Sequence, residues 1–474
     1  MSDPTSWTVP DVLAGYRNQS LSPVEVMATT LKRIADLNPH YRAVAHVFAD
    51  RAMEQAHTAE HLYRTDPDAA RPLEGIPVLV KEDEAIRDDP WTQGSTIYRS
   101  LVADHTAPFV QRILDAGAII HGRSAAPEFS SAAFTQSSLW GVTTNPWNPR
   151  YSSGGSSGGS AVALATGMTL LATGSDLAGS IRTPSSFNGT VGYKPPHGRV
   201  PVDAPFNLDR YCHCGPMART VADCLTLQRI IAGPHPDDLA SQLPPAPSAA
   251  PSQWRVGVIT GQDWPVDPEI ADNTRALGQA LAATGISVEE IALPVQRDDV
   301  IDAAAIHYDA IFGAALTHES DQHPDQINPY VPEFARWAAQ RRGTRSFLDG
   351  LAIEAALQSK IAPLFQQFDA LVLPAVATRG FLAGDDYVGH GLEVGGTTLS
   401  FYMEALPSIL FNVLSAHPAL TIRSGFANND VPTGVQIVGR AYDDNTPFAI
   451  ALHLQRAATV PTTWPTLPTP SSDV

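Results

Sequence analysis

The stretch from residue 151 to residue 192 constrains this chain most, because it is rich in glycine and serine without being low-complexity filler. It reads YSSGGSSGGSAVALATGMTLLATGSDLAGSIRTPSSFNGTVG, in which AVALA is typical of a small-residue helix and MTLLATG of a buried strand. The glycine- and serine-rich turns are therefore predicted to lie between packed elements. Turns in such positions can direct backbone N–H groups toward a common point, so we expect a functional site here.

Strand and helix patterns alternate along the rest of the chain, which predicts an α/β fold with a mostly parallel or mixed sheet. The run GIPVLVK (75–81) is typical of a short buried strand, and FDALVLPAV (368–376) of a strand buried in a parallel sheet. The other predicted elements are the helix TAPFVQRILDAG with the strand AIIHG after it, the βαβ unit WRVGVIT, PEIADNTRALGQALAATG and SVEEIAL, and a last strand and helix, PTGVQIVGR and PFAIALHLQRAA.

Local signals fix two helices and two surface segments. Ser22 and Glu25 form a capping box at the start of a helix predicted over about 22–37, which Asn38-Pro39 should end. A second helix is predicted over about 345–366. The stretch 234–251 is rich in proline and alanine and is predicted to be a surface excursion or a linker, and the last residues should form a surface tail.

Composition excludes several classes of protein. The 474 residues include 49 acidic and 31 basic ones, and the net charge of −18 argues against general binding of nucleic acid or of anionic membranes. Three cysteines are too few for a disulfide scaffold. The first residues do not have the pattern of a signal peptide, and the chain has no run of about 18 apolar residues. We therefore expect a soluble, cytoplasmic protein.

Several familiar motifs do not apply. The sequence has neither HExxH, nor GxxxxGK[ST], nor SxxK. GxSxG occurs at 154–158 and 155–159, but a nucleophile elbow requires a strand before it, and the polar segment NPWNPRYSS is a poor strand. Cys212-His213-Cys214 has no second ligand cluster to complete a tetrahedral metal site, so we interpret it as a strand or loop with buried thiols and expect no metal or other cofactor.

Acyl transfer is the chemistry that the remaining residues favour. It needs a nucleophile, a base and donors for an oxyanion. The turns GGSSGGS and GSDLAGS offer serines and N–H groups, and Lys81, one of only four lysines, closes an apolar strand. A buried lysine can lose its charge and act as a general base. The residues alone leave another interpretation open, in which the glycines only permit tight packing and Lys81 is an exposed cation.

The segment from about residue 75 to residue 200 resembles the amidase signature family. The family's hallmark is a GGSSGGS-A block followed by G-[ST]-D-x-[GA]-GS-[IV]-R-x-P, and this chain has GGSSGGSA at 154–161 and GSDLAGSIRTP at 174–184. The element GIPVLVK and the downstream GPMARTVAD and PTGVQIVGRAYDD are also similar to the family. The resemblance covers most of the chain and is weakest over 295–365.

The resemblance implies a fold and a site. The fold would be a single large α/β domain, residues 1–460, with a central twisted mixed sheet covered by helices on both faces. Its catalytic core would lie at about 75–200, its variable substrate-pocket region at about 295–405, and a surface tail at 461–474. The catalytic residues would be Ser180 as nucleophile, Ser156 as bridging serine after a cis peptide bond from Gly155, and Lys81 as base. The oxyanion hole would be formed by the N–H groups of Leu177, Ala178, Gly179 and Ser180, and the supporting residues would be Gly155, Ser157, Asp176 and Arg182.

Two further expectations concern the shape of the site. Ala178 stands where many members of the family have glycine, and it would be strained if that position required a positive φ. Aromatic residues between 300 and 405 are candidates for the pocket wall, although any one of them could equally belong to the core. They are Tyr308, Phe312, Tyr330, Phe334, Trp337 and Tyr402.

The resemblance implies an amidohydrolase that cuts linear carboxamides, aryl amides or related carbamates and esters through an acyl-enzyme. The main alternative is the glutaminase (A) subunit of a tRNA-dependent amidotransferase, which would need an arginine in its pocket for an acidic amide and a docking surface for a partner protein. A non-catalytic binding protein is a third alternative. The expected partner is a small-molecule amide, ester or carbamate, with neither nucleic acid nor membrane, and a homodimer is left open.

Overall fold

A mixed sheet of eleven strands runs through the protein, whose computed structural model describes residues 7–246, 254–261, 264–457 and 463–467. The strands in chain order are β1 (Val44–Val47), β2 (Pro77–Lys81), β3 (Ile119–Ser124), β4 (Gln136–Ser137), β5 (Gly141–Val142), β6 (Leu171–Asp176), β7 (Val191–Lys194), β8 (His213–Ala218), β9 (Arg255–Val258), β10 (Ser287–Glu290), β11 (Ala370–Pro374), β12 (Leu392–Val394), β13 (Thr397–Leu399), β14 (Ala419–Phe426) and β15 (Pro432–Gly439). The sheet has the order β1-β3-β2-β6-β8-β7-β14-β15-β11-β9-β10, while β4-β5 and β12-β13 are separate two-stranded ribbons.

The sheet is parallel in two places. Strand β2 pairs in parallel with β3 and β6, and β9 pairs in parallel with β10 and β11, while the other neighbours are antiparallel. The βαβ unit formed by β9, the helix Pro268–Ala283 and β10 is therefore confirmed, as are the strand β11 beside it and the mixed sheet.

Helices lie on both faces of the sheet. In chain order they are α1 (Val9–Asn18), α2 (Pro23–Tyr41), α3 (Ala49–Thr65), α4 (Pro108–Asp115), α5 (Gly158–Ala165), α6 (Arg182–Asn188), α7 (Val221–Ile231), α8 (Pro268–Ala283), α9 (Arg297–Tyr308), α10 (Ala314–Gln322), α11 (Tyr330–Arg342), α12 (Phe347–Gln367), α13 (Leu410–Val413) and α14 (Asn445–Arg456). Alternate residues of β11 contact different cores, since Leu371 and Leu373 belong to one apolar cluster and Ala370 and Val372 to the other. The sheet thus separates two cores, as the alternation of side chains along a strand requires.

Helix α2 begins as predicted and ends later. The capping box of Ser22 and Glu25 is formed. The predicted end at Asn38-Pro39 is wrong, because Pro39 lies inside the helix, which continues to Tyr41. Pro39 costs the helix one hydrogen bond. The last turn is held instead by Arg42, which adopts the left-handed conformation and donates its N–H to Asn38 O at 2.7 Å.

The segment with the weakest family resemblance is helical. The helix predicted over about 345–366 is α12, while α9, α10 and α11 were not predicted individually. The continuous helical stretch Arg297–Gln322 is long and apolar enough to cross a membrane, but 56% of its apolar window is buried inside the protein. It packs against α11 and α12, as a core helix of a folded domain does.

The predicted surface segments are described in part. Residues 234–246 contain the short 3₁₀ turn Leu239–Gln242, and the rest of the predicted linker, 247–251, lies outside the described residues. Of the predicted tail, residues 463–467 are described, and Thr463 O accepts a 2.9 Å hydrogen bond from Arg423. The predicted domain end at residue 460 lies outside the described residues.

Candidate active site

Lys81 ends strand β2 with a fully buried side chain. Its Nζ lies 2.7 Å from Ser156 Oγ, 2.7 Å from Ser175 Oγ and 3.1 Å from Ser130 Oγ. It also lies 2.9 Å from Asp83 Oδ2. The interpretation of Lys81 as an exposed cation is therefore wrong, and the amine lies among three hydroxyl groups and one carboxylate.

Ser156 lies in the glycine-rich turn before helix α5 and is fully buried. The peptide bond from Gly155 to Ser156 is cis, as the family resemblance implies. A Cβ atom on Gly155 would lie 2.7 Å from Phe134 O and 2.8 Å from Ala132 O, so the backbone packs too closely here for any side chain. The next residue, Ser157, donates its N–H to Ser180 O at 3.1 Å, which joins the two serine-bearing turns.

Ser180 lies in the short turn between strand β6 and helix α6, and its side chain is partly exposed. The Asp176 carboxylate organises this turn, since it accepts the N–H groups of Gly179 at 2.8 Å and Ile181 at 3.2 Å. The Arg182 guanidinium pairs with the same carboxylate through Nε at 2.9 Å and Nη2 at 2.8 Å. Burial alone would raise the pKa of Asp176, but the charge and hydrogen bonds of Arg182 hold it well below its usual range.

The predicted oxyanion donors do not all have free N–H groups. Gly179 N–H donates within the turn to Asp176, so the structure does not support Gly179 as an oxyanion donor. The N–H groups of Leu177, Ala178 and Ser180 remain candidates. Ala178 does not adopt a positive φ, so the strain considered for it is absent, and the positive φ of 118° falls on Gly179.

A cavity of about 280 Å³ opens onto both serines. Ser156, Ser175 and Ser180 are among its lining residues. Of the six aromatic candidates, three line the cavity and three pack into the apolar core beside it. The cavity residues are Tyr308, Phe312 and Phe334, and the core residues are Tyr330, Trp337 and Tyr402.

Three residues around Lys81 were missed by the sequence analysis. They are Asp83, Ser130 and Ser175. Asp83 follows the lysine by two positions and Ser175 precedes Asp176 in the motif, and these positions were the only signals available. Nothing in the sequence near Ser130 indicates that its loop folds over the end of β2.

Cys212 and Cys214 also line the cavity. Burial raises the pKa of both thiols well above the ordinary value, so they are uncharged at neutral pH. Among the residues that the structure describes, no group of three or more histidine, cysteine, aspartate and glutamate side chains could hold a metal ion.

Comparisons of the sequence with known proteins agree on one family. The family described as Amidase matches residues 25–447. The chain is 29% identical to the 6-aminohexanoate-cyclic-dimer hydrolase of Paenarthrobacter ureafaciens, over 93% of this chain and 92% of that protein. It is 30% identical to the A subunit of the glutamyl-tRNA(Gln) amidotransferase of Gloeothece citriformis, over 92% of this chain and 94% of that protein.

Solved structures agree on the fold. A bacterial aryl acylamidase of the amidase signature family superimposes with a TM-score of 0.85 at 22% identity, covering 96% of each chain. A 6-aminohexanoate cyclic dimer hydrolase complexed with substrate superimposes with a TM-score of 0.81 at 26% identity, covering 98% of this chain and 99% of that one.

Proposed function

Because the chain belongs to the amidase signature family, whose members hydrolyse carbon–nitrogen bonds other than peptide bonds, we propose that it cleaves linear carboxamides, aryl amides or related carbamates and esters. In this proposal Ser180 is the nucleophile, Ser156 relays its proton and Lys81 receives it. The observation that carries the proposal is the 2.7 Å contact between the buried Lys81 Nζ and Ser156 Oγ, beside a cavity that Ser180 also lines.

The proposed reaction begins with proton transfer. A serine hydroxyl is a poor nucleophile until a base accepts its proton. Ser156 passes its proton to the uncharged amine of Lys81 and takes the proton of Ser180, whose Oγ bonds to the substrate carbonyl carbon. The carbonyl electrons move onto oxygen, where backbone N–H groups of the turn stabilise them by about 3 kcal/mol per donor.

The second half of the reaction releases the products. The tetrahedral intermediate collapses when the bond to the leaving nitrogen or oxygen breaks, and the leaving group takes a proton from Ser156, which Lys81 replenishes. An acyl-enzyme then remains on Ser180. Water attacks this ester through the same relay, so the chemistry needs no group beyond the three side chains and the turn.

The cavity wall supports an apolar or aryl substrate. The lining residues include Tyr308, Phe312 and Phe334, and also Phe109, Phe206 and Met403. Apolar and aromatic side chains of this kind favour binding of hydrocarbon and aryl groups. Aryl amides and carbamates with aryl substituents are therefore the preferred members of the proposed class.

The amidotransferase alternative has less support. Glutamine carries an α-carboxylate, and a pocket for it would need a positive side chain. Among the described residues, the cavity lining has no arginine, and its acidic members are Asp83, Glu84, Asp176 and Asp203. Without an arginine in the described cavity lining, the α-carboxylate of glutamine has no such partner there, so we favour the free hydrolase.

A substrate panel tests the proposal. The purified single chain should hydrolyse an aryl p-nitroanilide and an aryl carbamate faster than an unbranched aliphatic primary amide, and it should release no ammonia from glutamine. Product release is measured by absorbance for the anilide and by an ammonia assay for glutamine. Glutaminase activity, above all activity that requires a partner protein, would favour the amidotransferase instead.

A further inference from the structure

Asp83 occupies a position in the site that the proposed triad does not explain. Its Oδ2 lies 2.9 Å from Lys81 Nζ and accepts hydrogen bonds from Ser130 Oγ at 2.8 Å and Ser175 Oγ at 3.0 Å. The carboxylate thus contacts the amine itself and two of the three hydroxyl groups around it. It lies on the segment after β2, and its two serine partners come from the loop after β3 and from β6.

The hydrogen atoms around Lys81 can be counted. A serine hydroxyl has one proton to donate. Ser130 and Ser175 donate theirs to Asp83, so toward Lys81 these two oxygens can only accept. An uncharged lysine amine has two hydrogens and one lone pair, and its hydrogens point toward the neighbours that can only accept, which are Ser130, Ser175 and Asp83. The lone pair then faces Ser156, whose proton is the one hydroxyl proton in this cluster not committed to Asp83.

The charge of Asp83 favours the product of the transfer. Burial alone would raise the pKa of Asp83, but the charge of Lys81 and the hydrogen bonds from Lys81, Ser130 and Ser175 lower it. The ionised carboxylate is therefore favoured most when Lys81 is protonated, which is the state that the proton transfer produces. When Lys81 takes the proton of Ser156, an ammonium forms 2.9 Å from this carboxylate, and the pair is stabilised in a buried site.

We propose that Asp83 is a positioning residue of the relay. It holds the protons of Ser130 and Ser175, so that the amine of Lys81 can accept a proton only from Ser156, and it stabilises the ammonium that results. The inference rests on the proposed function and extends it, because the triad alone does not specify from which neighbouring hydroxyl Lys81 takes its proton.

Other charged and titratable groups also surround the amine. Glu84 follows Asp83 in the same segment, Arg123 of β3 donates to Lys81 O at 3.0 Å, and Cys212 and Cys214 lie on the side of β8. Burial, together with the charge of Asp83, raises the pKa of Glu84 to about 8, so Glu84 titrates in the range where activity is measured. Burial likewise raises the pKa of Glu82, on the other side of Asp83, to about 7. The pH profiles are therefore compared in a background that carries Glu82→Gln and Glu84→Gln, in which neither group can titrate.

The principal test is Asp83→Asn with an anilide substrate. The amide keeps the size of the side chain and removes its charge. We expect kcat to fall by about 100-fold, within the range of general acid–base contributions, with little change in KM. We also expect the acidic limb of the kcat/KM profile to move to lower pH by about 1–3 units, the effect of removing an opposite charge within about 4–6 Å.

Asp444→Asn is the matched control. Asp444 has a similar side-chain exposure of 16%, against 13% for Asp83. It is also paired with a cation, Arg199 at 2.8 Å, and it accepts from one hydroxyl, Tyr193 at 2.8 Å, where Asp83 accepts from two. It lies outside the cavity. Its variant should lose stability, measured by thermal unfolding, and keep the wild-type pH profile. An Asp83→Asn profile whose acidic limb does not move would overturn the inference, whatever the loss of kcat.

Ser130→Ala provides a second test that does not depend on the folding of Asp83→Asn. It removes one acceptor from the amine and leaves the charge of Asp83, so we expect kcat to fall about tenfold with the acidic limb in place. Unchanged kcat would contradict the count of hydrogen atoms. The proposed function has its own test, because a Ser180→Ala variant that keeps its turnover would contradict it. If Ser180→Ala is inactive while Asp83→Asn matches the wild type, only the present inference fails.

Discussion

The three acidic side chains after Lys81 differ in charge because their surroundings differ. Burial raises the pKa of Glu82 to about 7, although hydrogen bonds from Thr92, Trp140 and the Ala126 N–H act in the opposite direction. Burial raises the pKa of Glu84 further, to about 8, while the charge of protonated Lys81 lowers the pKa of Asp83. One short run of sequence therefore supplies one buried carboxylate and two groups that are largely or partly protonated at neutral pH.

Glu84 makes the stability of the fold depend on pH. Its pKa is about 8 in the folded protein, above the ordinary value of 4.5, so the folded state binds a proton that the unfolded state has lost between these values. Its contribution to stability therefore falls as the pH rises through that window. Glu84→Gln stays uncharged and can still accept the hydrogen bond from Thr173 Oγ1.

We expect Glu84→Gln to gain stability relative to the wild type as the pH rises from 4 to 9, by on the order of a few kcal/mol at pH 9. Urea unfolding at pH 4, 6.5 and 9 measures the difference. The measurement at pH 4 is the internal control, because the wild-type side chain is mostly protonated there in both states. A difference that is the same at all three values would show that Glu84 is not buried as a neutral acid.

At the scale of elements, the turn between β6 and α6 depends on Gly179. Its φ is 118°, a conformation that side chains disfavour, and a Cβ atom would lie 2.2 Å from Ser408 Oγ. Gly179→Ala should therefore displace Ser180 and the N–H groups beside it. A displacement of about 1 Å in such a site can cost on the order of 100-fold in rate, and we expect kcat to fall at least that far.

Gly285→Ala is the control for this substitution. Gly285 also has a positive φ, of 92°, but a Cβ atom there meets nothing within 4 Å. This variant should carry the backbone strain, about 1 kcal/mol, with wild-type kcat. The interpretation of the turn would be wrong if Gly179→Ala retained normal turnover, or if both variants lost it equally.

The elements that were predicted correctly are those whose boundaries depend on residues close to them in the sequence. The capping box at Ser22 and the buried strand ending at Lys81 are set by neighbours in sequence, and both were predicted. The end of α2 was misplaced because the interactions that close its last turn involve Arg42, three residues beyond Pro39. Helices α9 to α11 were not predicted individually, since their packing is decided by segments far away in the chain.

At the scale of the whole molecule, Arg182 shows why part of the site could not be predicted. Its guanidinium donates to Ser408 O at 2.7 Å, Asn412 Oδ1 at 2.6 Å and Gln436 Oε1 at 2.8 Å, all more than 220 positions away. These contacts attach the turn that carries Ser180 to α13 and β15. The resemblance to a family identified Arg182 as a supporting residue, but not these partners.

The cluster around Lys81 also depends in part on residues that are distant from it in the sequence. The family motif predicted Ser156, which the fold places 2.7 Å from Lys81, and the cis bond before it. It did not predict Ser130, which the fold brings from 49 positions away. The members of the proposed triad could therefore be named from a motif, whereas the groups that orient the amine depend on how the loops after β2 and β3 pack together.

The most direct measurement is the location of the acyl group during turnover. An anilide or carbamate is mixed with the enzyme, quenched in acid within the first turnovers, and the protein is digested and analysed by mass spectrometry. The account predicts a burst of leaving group and an acyl adduct on the peptide that carries Ser180, and neither in Ser180→Ala. An adduct on another side chain, or undiminished turnover by Ser180→Ala, would contradict it.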